Sequence, residues 1–289
     1  MQMNHQIMIQ KIKNVLKKIP FFVLLKKHIK SSRSLNIELI YQQRLKNCKN
    51  KFAAEFAQKY FSQTDEDGLT IEILKRIDTQ TKQTFLEFGV GNGLENNTLI
   101  LLSMGWKGSW YGGEDLAFNY QQSKRLNFQK RWINVNNIID FYKESLNVNK
   151  VEQHQVISLD LDGNDLFFAK KILEAGGRPN LFICEYNAIF PPKVKWCMPY
   201  NTNHQWENDH YFGASLASFV ALFQKHDYFL CACNPQTGAN AFFVKSQYRD
   251  LFADVPNNVE DIYMTPFYEL DNKFTHLVSP KFIESIVSR

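Results

Sequence analysis

The amino-acid sequence predicts an α/β fold built on a mostly parallel sheet, and three features of the chain lead to that prediction. Apolar segments of strand length alternate with amphipathic segments of helical length, as they do where helices cover a parallel sheet. The apolar segment near residue 84 runs directly into a turn with three glycines, which is typical of nucleotide-binding sheets. Two apolar segments near the end of the chain flank a short polar connection, as in a β-hairpin.

The composition is that of a folded protein without a strong affinity for nucleic acid. The 289 residues are 44% hydrophobic and 22% charged, which is ordinary for a globular protein with one large domain and an appendage. The net charge of +5 is modest, and part of the excess lies in the first 51 residues. Nucleic acid is therefore not a predicted partner.

Cysteine usage and hydropathy indicate the compartment. The cysteines are odd in number and include no C-x-x-C pair, so neither a disulfide framework nor a zinc site is predicted: Cys48, Cys184, Cys197, Cys231 and Cys233. No stretch approaches the ~18 consecutive apolar residues of a membrane span, and the longest early apolar run lacks a cleavage site. We therefore expect a cytoplasmic protein. Peripheral contact with the inner face of the membrane is the one kind of membrane association that stays open.

Residues 1–58 form a predicted basic helical extension, and residues 59–289 the main domain. Pro20 is expected to break or kink the first helix of the extension. A basic amphipathic helix can lie on an anionic membrane surface, here through residues 1–30, and packing on its own domain or on a second subunit, as in a homodimer, is the competing explanation. The apolar positions of the two helices are Ile12, Val15, Leu16 and Ile19, then Phe22, Leu25 and Ile29.

The glycine turn over residues 84–98 follows an apolar strand that ends in Glu87. Glycines stand at alternate positions after it: Gly89, Gly91 and Gly93. A dinucleotide fingerprint requires its third glycine at the sixth position, which is Leu94 here, so a dehydrogenase is disfavoured. The pattern Glu-x-Gly-x-Gly-x-Gly instead resembles the first motif of S-adenosylmethionine-dependent methyltransferases, where the acid faces the cationic amino-acid part of the cofactor. A turn that only reverses the chain is the alternative.

A second acidic position follows the next strand, predicted at 108–113. In nucleotide-binding sheets, an acid about 20 residues beyond the glycines accepts hydrogen bonds from the ribose hydroxyls. Glu114 lies 21 positions after Gly93 and is the predicted ribose ligand. For the adjacent Asp115, a solvated acidic loop is the competing interpretation.

Periodicity predicts the remaining elements. Helices are expected at 69–77, 97–104, 117–131, 138–146, 166–173 and 213–226. Further strands are expected at 132–134, 228–233 and 241–245.

Polar side chains arrive where the central strands end. After the apolar segment from Val156, Asp160 and Asp162 share one face, and two carboxylates there are costly to bury unless they are paired or bind a metal. The strand at 180–187 is apolar until Glu185 and Asn187, which also share a face. Ligands bind outside the carboxyl ends of parallel strands, so these acids, Asn187 and Glu87 are expected to meet at one rim.

An irregular segment at 188–210 is rich in proline, aromatic residues and histidine. Segments of this length are usually lids or binding loops, and this one is suited to a sugar or aromatic acceptor. Packing of its aromatic residues on the surface is the alternative.

Seven blocks of sequence, in order, resemble the FkbM-type S-adenosylmethionine-dependent methyltransferases. They are Phe-Ser-Gln-x-x-Glu-Asp-Gly at 61–68, Phe-Leu-Glu-Phe-Gly-x-Gly-x-Gly-Leu-Glu-Asn-Asn-Thr at 85–98, Gly-Trp-Lys-Gly-x-Trp at 105–110, Ser-Leu-Asp-Leu-Asp-Gly-Asn-Asp at 158–165, Glu-Tyr-Asn at 185–187, Tyr-Phe-Gly-Ala-Ser-Leu at 211–216 and Asn-Ala-Phe-Phe-Val at 240–244. The resemblance implies a class I methyltransferase-like, Rossmann-like sheet of seven strands, with the last antiparallel and helices on both faces. It also implies methyl transfer, commonly to an oxygen of a sugar or natural product.

One position departs from the family pattern. Where relatives place the ribose acid, this chain has Gly112, so either the contact has moved to Glu114 or cofactor binding is weakened. A degenerate, non-catalytic binding protein is therefore the alternative to an enzyme.

The resulting site hypothesis assigns three roles. The cofactor ligands are expected to be Glu87, Gly89, Gly91, Gly93, Glu114 and Asp160. The catalytic residues are expected to be Asp162, Glu185 and His210. Oxygen donors for Mg²⁺ or another divalent cation are Asp162, Glu185 and Asn187, with Asp160 as a possible fourth. In the competing assignment, Asp160 and Asp162 bind cofactor and cap the next helix, with His210 or His204 as the base. The expected acceptor is a surface glycan, a lipid-linked sugar or another small hydroxyl compound.

Overall fold

A seven-stranded sheet organises the computed structural model, which describes residues 20–77, 82–207, 209–268 and 280–288. The strands are Thr84–Phe88 (β1), Lys107–Gly112 (β2), Leu126–Lys130 (β3), Val156–Leu159 (β4), Leu181–Glu185 (β5), Tyr228–Cys233 (β6) and Asn240–Lys245 (β7). Their order in the sheet is β3-β2-β1-β4-β5-β7-β6. All neighbouring strands are parallel except that β7 is antiparallel to both β5 and β6. The predicted α/β sheet with an antiparallel last strand is confirmed.

Helices cover the centre of this sheet. The α-helices are Pro20–Asn47 (α1), Lys51–Phe56 (α2), Glu66–Ile77 (α3), Leu99–Ser103 (α4), Ile138–Asn149 (α5), Asp165–Glu174 (α6), Leu216–Gln224 (α7), Val259–Ile262 (α8) and Pro280–Val287 (α9), with a 3₁₀ helix at Ser246–Phe252. Every residue of β1 and β4 is buried, so both faces of the central strands are covered. This burial explains why these strands are continuous apolar runs in the sequence.

The edge of the sheet differs from the sequence prediction. Residues 117–131 were expected to be helical, but they contain a turn-rich segment followed by β3, and the expected strand at 132–134 is a loop. One face of β3 is covered more than the other, so apolar residues alternate with polar ones: Leu126 and Phe128 are buried, while Asn127 and Gln129 are partly exposed. Five residues of alternation are too few to stand out from the polar sequence around them.

The N-terminal helix α1 contacts the domain through its second half. It begins at Pro20, a residue suited to a first helical turn, and the helix predicted before it lies outside the described residues. Tyr41 Oη donates to Asp65 Oδ2 at 2.9 Å, and Arg44 donates to the carbonyl oxygens of Pro235 and Thr265 at 2.8 and 2.6 Å. Residues 24–31 of this helix are exposed. None of the described helices combines the length and apolarity needed to cross a bilayer.

Candidate functional site

The candidate site lies where the strand order changes direction. Strand β1 pairs with β2 on one side and with β4 on the other, and the chain crosses over between them. In open α/β sheets, ligands bind outside the carboxyl ends of the strands at such a switch point. The carboxyl end of β1 continues into the glycine turn, and that of β4 into the turn from Asp160 to Asp165.

Two adjoining cavities open at this point and share Gly89, Gly91, Glu114 and Asp160. The first, here the glycine cavity, has a volume of about 320 Å³, and its further lining includes Gln63, Glu87, Asn97 and Asn240. The second, here the loop cavity, has a volume of about 440 Å³, and its further lining includes Arg131, Trp132, Asp162, His204 and Trp206. Together they form one cleft across the ends of β1, β2 and β4.

The glycine turn needs glycine for both conformation and space. Gly89, Gly91 and Gly93 have φ angles of +90°, +49° and +81°, which disfavour any side chain. A Cβ on Gly89 would lie 1.6 Å from the carbonyl oxygen of Asp160, and one on Gly93 would lie 2.7 Å from Leu116 Cδ2. The turn therefore brings the end of β1 directly against the end of β4.

Glu87 lines the glycine cavity and holds the chain that enters α4. The residue is buried, with only 2% of its surface exposed. Oε1 accepts from the backbone N–H of Asn97 at 2.9 Å, and Oε2 accepts from the N–H of Thr98 at 3.1 Å and from the Thr98 hydroxyl. Burial raises the pKa of Glu87, and the hydrogen bonds from Thr98 and Asn97 oppose that rise. Much of the acceptor capacity of this carboxylate is thus used within the protein.

Three carboxylates meet at the ends of β4 and β5. Asp160, Asp162 and Glu185, here the acid cluster, each offer an oxygen within 4.8 Å of the other two. Leu159 pairs with Cys184, so the residues that follow them, Asp160 and Glu185, lie side by side on one face. Burial, followed by the charge of neighbouring acids, raises the pKa of Asp160 and of Glu185 well above the ordinary range. The predicted convergence of these three residues agrees with the structure.

Asp165 shapes the turn that carries Asp162. Its Oδ1 accepts from the N–H of Leu161 at 2.9 Å and its Oδ2 from the N–H of Gly163 at 3.0 Å. The turn holds Asp162 in the left-handed region, with φ +55°, and leaves its side chain exposed in the loop cavity. Asp165 itself is 1% exposed, and burial raises its pKa to about 6. It therefore positions the cluster rather than contacting a ligand.

Asn187, the third predicted metal ligand, serves the loop instead. Its Nδ2 donates to the carbonyl oxygens of His210 and Phe212, both at 2.9 Å, and its Oδ1 accepts from the N–H of Ile189 at 3.3 Å. Strand β5 ends at Glu185, so the alternation that was expected to place both side chains on one face stops before Asn187. Asn187 lines neither cavity, and its role as a metal ligand stays a prediction.

Of the two histidines considered as the base, the structure places His204 in the cleft. His210 is exposed and does not line either cavity. The ring of His204 lies over Gly163, where a Cβ would come within 2.3 Å of its Cδ2, and its Nε2 is 3.1 Å from the carbonyl oxygen of Asp162. Because a carbonyl oxygen only accepts, Nε2 carries the proton in the neutral ring, and Nδ1 is the nitrogen that can accept one.

At the expected ribose end, Glu114 is the acid that reaches the cleft. It is exposed and lines both cavities, whereas Asp115 pairs with Lys130 Nζ at 2.7 Å on the surface. A Cβ on Gly112 would lie 2.8 Å from Cγ2 and 3.3 Å from the backbone nitrogen of Val90. A larger residue at position 112 would therefore press on the glycine turn.

The acidic run at the start of α3 is buried, which sequence reasoning missed. Asp65, Glu66 and Asp67 precede the helix expected at 69–77, but in the structure Glu66 and Asp67 form its first turn, and the three residues are 1%, 1% and 0% exposed. Asp67 Oδ2 accepts three backbone N–H groups of residues 60–62, and Asp65 accepts from Gln236 N–H and from Tyr41. Burial raises the pKa of both Asp65 and Asp67 to about 7. The resemblance of block 61–68 was the signal that this segment had a fixed structure.

This acidic segment connects to the cleft through β7. Glu66 Oε1 accepts from Nδ2 of Asn234 and of Asn240, both at 3.2 Å. Asn240 and Gln63 both line the glycine cavity. Asn240 Oδ1 is buried and has no hydrogen-bond partner within the described part of the chain. Asn240 and Gln63 were not predicted as site residues. Asn240 reaches the cavity through the pairing of β7 with β5, and Gln63 through the segment that precedes α3.

Comparison with known proteins adds no assignment to this geometry. No protein-family model matches the chain, and a search of curated proteins finds no match either.

Proposed function

We propose that this protein is an S-adenosylmethionine-dependent methyltransferase of the FkbM type that methylates an oxygen of its acceptor. The observation that carries the proposal is the glycine turn, which lies against Asp160 at the switch point and opens onto a cleft lined by carboxylates. The same chain segments carry the resemblance described above.

The lining of the cleft fits the chemistry of this cofactor. The cofactor has a cationic amino group, a sulfonium and a ribose with two vicinal hydroxyls. The carboxylate of Asp160, which lines both cavities, is an acceptor suited to the amino group. Glu114 is an exposed carboxylate suited to the hydroxyls, and Gly89 and Gly91 leave room for close approach to the backbone.

The residues of the loop cavity are arranged for deprotonation of a hydroxyl. When bound, the cofactor supplies a methyl group attached to a positively charged sulfur. The sulfur leaves when a nucleophile attacks the methyl carbon in line with the carbon–sulfur bond. The protein must hold the acceptor oxygen in place and accept its proton, and positioning accounts for most of the rate gain in such reactions. His204 Nδ1 is the acceptor for that proton, and the acid cluster orients the hydroxyl.

The rim of the loop cavity supports a sugar-like acceptor. Trp132 and Trp206 are 55% and 46% exposed, and both line the cavity together with Arg131. Flat aromatic faces beside hydrogen-bonding groups are suited to the apolar face and the hydroxyls of a sugar ring. A glycan or lipid-linked sugar thus stays the first acceptor class to test.

A second candidate function is ligand binding without catalysis. It is favoured by two observations: position 112 has no acid, and the carboxylate of Glu87 is already hydrogen-bonded to the start of α4. A protein of this kind would bind a nucleoside ligand weakly and transfer nothing.

Calorimetry followed by a transfer assay distinguishes these candidates. We expect heat on titration of S-adenosylmethionine into about 0.1 mM protein, and methyl-labelled product with members of a glycan and small-hydroxyl panel. Binding without transfer to any member would favour the non-catalytic candidate. The absence of heat at that concentration would contradict the enzyme.

A further inference from the structure

We infer that the acid cluster binds one divalent cation of the Mg²⁺ class, with Asn240 Oδ1 as a further protein ligand. The binding itself is independent of the proposed function, whereas the catalytic role given to the cation rests on it.

The charge of the cluster requires compensation. Three carboxylates offer oxygens within 4.8 Å of one another, and two of them, Asp160 and Glu185, are only partly exposed. Among the described residues, no lysine or arginine forms an ion pair with any of the three. Grouped carboxylates that are shielded from water are stable when they are protonated, paired or bound to a metal. A proton shared by Asp160 and Glu185 removes one charge, and a divalent cation compensates for more.

Asn240 provides an independent indication of a ligand. It is 5% exposed, and it stands opposite Glu185 in the pairing of β5 with β7. Its Nδ2 donates to Glu66 Oε1 at 3.2 Å, which fixes the orientation of the amide. The other atom of the amide, Oδ1, has no partner within the described residues, and Asn240 lines the glycine cavity together with Asp160. A buried amide oxygen without a donor costs free energy unless a ligand supplies one.

The donor types select the cation. The cluster and Asn240 offer only carboxylate and amide oxygens, and the metal-ligand group found among the described residues contains no cysteine or histidine. Oxygen donors favour Mg²⁺, Mn²⁺ or Ca²⁺ over zinc or copper. Mg²⁺ usually retains waters when it binds a few carboxylates, and this leaves positions at which an acceptor oxygen can bind.

The cation would assist the proposed reaction at the acceptor. A hydroxyl bound to it becomes more acidic, so its O–H bond breaks more readily and the proton passes to Nδ1 of His204. The oxygen then forms the new O–C bond as the C–S bond to the sulfonium breaks, which leaves a neutral thioether and a methyl ether. Two members of the cluster, Asp160 and Asp162, line the loop cavity, in which the acceptor is placed.

The test is a titration of the EDTA-treated full-length protein with Mn²⁺, followed by the electron paramagnetic resonance signal of free Mn²⁺. We expect one site, and competition by Mg²⁺. Glu185→Gln and Asp160→Asn should each weaken Mn²⁺ binding at least tenfold, and Asn240→Leu by a smaller factor. Asp115→Asn is the matched control, because it removes the same charge from an exposed carboxylate whose recorded partner is Lys130. It should leave Mn²⁺ binding unchanged.

A second measurement, thermal unfolding, shows whether the variants are folded. Thermal unfolding in EDTA should show Glu185→Gln to have a melting temperature close to that of the wild type, because the glutamine amide can donate to Asp160 in place of the shared proton. Mn²⁺ should raise the melting temperature of the wild type and leave that of the variant unchanged. Asp162→Asn, an exposed position, repeats the comparison if a buried variant does not fold.

The outcomes separate this inference from the proposed function. No Mn²⁺ binding at millimolar concentration, or equal loss in Glu185→Gln and Asp115→Asn, would overturn the cation site. Methyl transfer that persists in EDTA would overturn its catalytic role and leave the methyltransferase proposal standing. Mn²⁺ binding in a protein that does not bind S-adenosylmethionine would support the site and contradict the proposed function.

Discussion

The carbonyl oxygen of Asp160 occupies the space that a side chain on Gly89 would need, 1.6 Å from the position of a Cβ. This contact joins the ends of β1 and β4, the two strands at the switch point. We therefore expect Gly89→Ala to separate the two turns and to weaken S-adenosylmethionine binding at least tenfold, measured by calorimetry.

Gly176→Ala is the matched control for this change. Its φ of +88° is close to the +90° of Gly89, and nothing lies within 4 Å of the position of its Cβ. Both variants should lose about 1–2 kcal/mol of unfolding free energy from left-handed strain. Gly89→Ala should lose more, because its Cβ also meets the backbone of Asp160, and only Gly89→Ala should lose affinity. Equal affinities in the two variants would show that the contact with Asp160 is not needed for binding.

Glu114→Ala tests the ribose end of the cleft. If Glu114 accepts hydrogen bonds from the ribose hydroxyls, its loss should weaken cofactor binding by about 10- to 100-fold, the range for hydrogen bonds to a charged group. Asp115→Ala, at the neighbouring surface ion pair with Lys130, should leave affinity unchanged. Unchanged affinity in Glu114→Ala would place the ribose contact elsewhere.

The parts of the site that lie on central strands could be predicted from the sequence. Strands β1, β4 and β5 are buried on both faces, so each is a continuous apolar run whose polar residues mark its carboxyl end. The parallel register then brings Asp160 and Glu185 together, as expected. The local sequence pattern was sufficient to predict this part of the site, because the change from apolar to polar residues marks the end of each strand.

The remaining parts depend on contacts between distant segments. Asn240 reaches the cleft through an antiparallel pairing with Glu185, 55 positions earlier in the chain, and no local pattern specifies that register. His204 and His210 lie in one irregular loop, where periodicity does not indicate which side chain faces inward. The strand also ends two residues before Asn187, so strand alternation does not determine on which face that side chain lies.

His204→Asn and His210→Asn distinguish the two histidines. Asparagine at 204 keeps a donor for the carbonyl oxygen of Asp162 but provides no basic nitrogen. We expect kcat to fall about 10²- to 10⁴-fold in His204→Asn, with cofactor affinity unchanged, as for loss of a general base. His210→Asn should retain wild-type kcat. The reverse pattern in a steady-state assay would assign the base to His210.

The buried acid Asp67 predicts a pH-dependent contribution to stability. Burial raises its pKa from an ordinary value near 4 to about 7, so the folded state binds its proton more tightly than the unfolded state. The stabilisation is complete below pH 4 and is lost as the pH rises to about 7, on the order of 1 kcal/mol per pH unit. Asp67→Asn mimics the protonated acid and removes this loss.

The measurement is the difference in unfolding free energy between Asp67→Asn and wild type, from urea titrations at pH 5 to 8. This difference should increase with pH and level off above pH 7. The subtraction is needed because burial lowers the pKa of His154 to about 3, which makes the wild type less stable as the pH falls below about 6.5. A difference that does not change with pH would contradict the burial of a titrating Asp67.

The exposed residues 24–31 of α1 allow the expected membrane contact to be tested within the described chain. Leu24 and Ile29 are 65% and 57% exposed, and the exposed basic residues beside them are Lys26, Lys27, Lys30 and Arg33. Apolar insertion combined with attraction to anionic headgroups predicts sedimentation with phosphatidylserine-containing vesicles and not with purely zwitterionic ones.

The double variant Leu24→Asp with Ile29→Asp should stay in the supernatant, whereas Leu251→Asp, at another exposed leucine, should sediment like the wild type. Equal sedimentation of all three proteins would reject the membrane contact. Light scattering tests the alternative: a dimer of the wild type that is lost in the double variant only would assign this face to a second subunit.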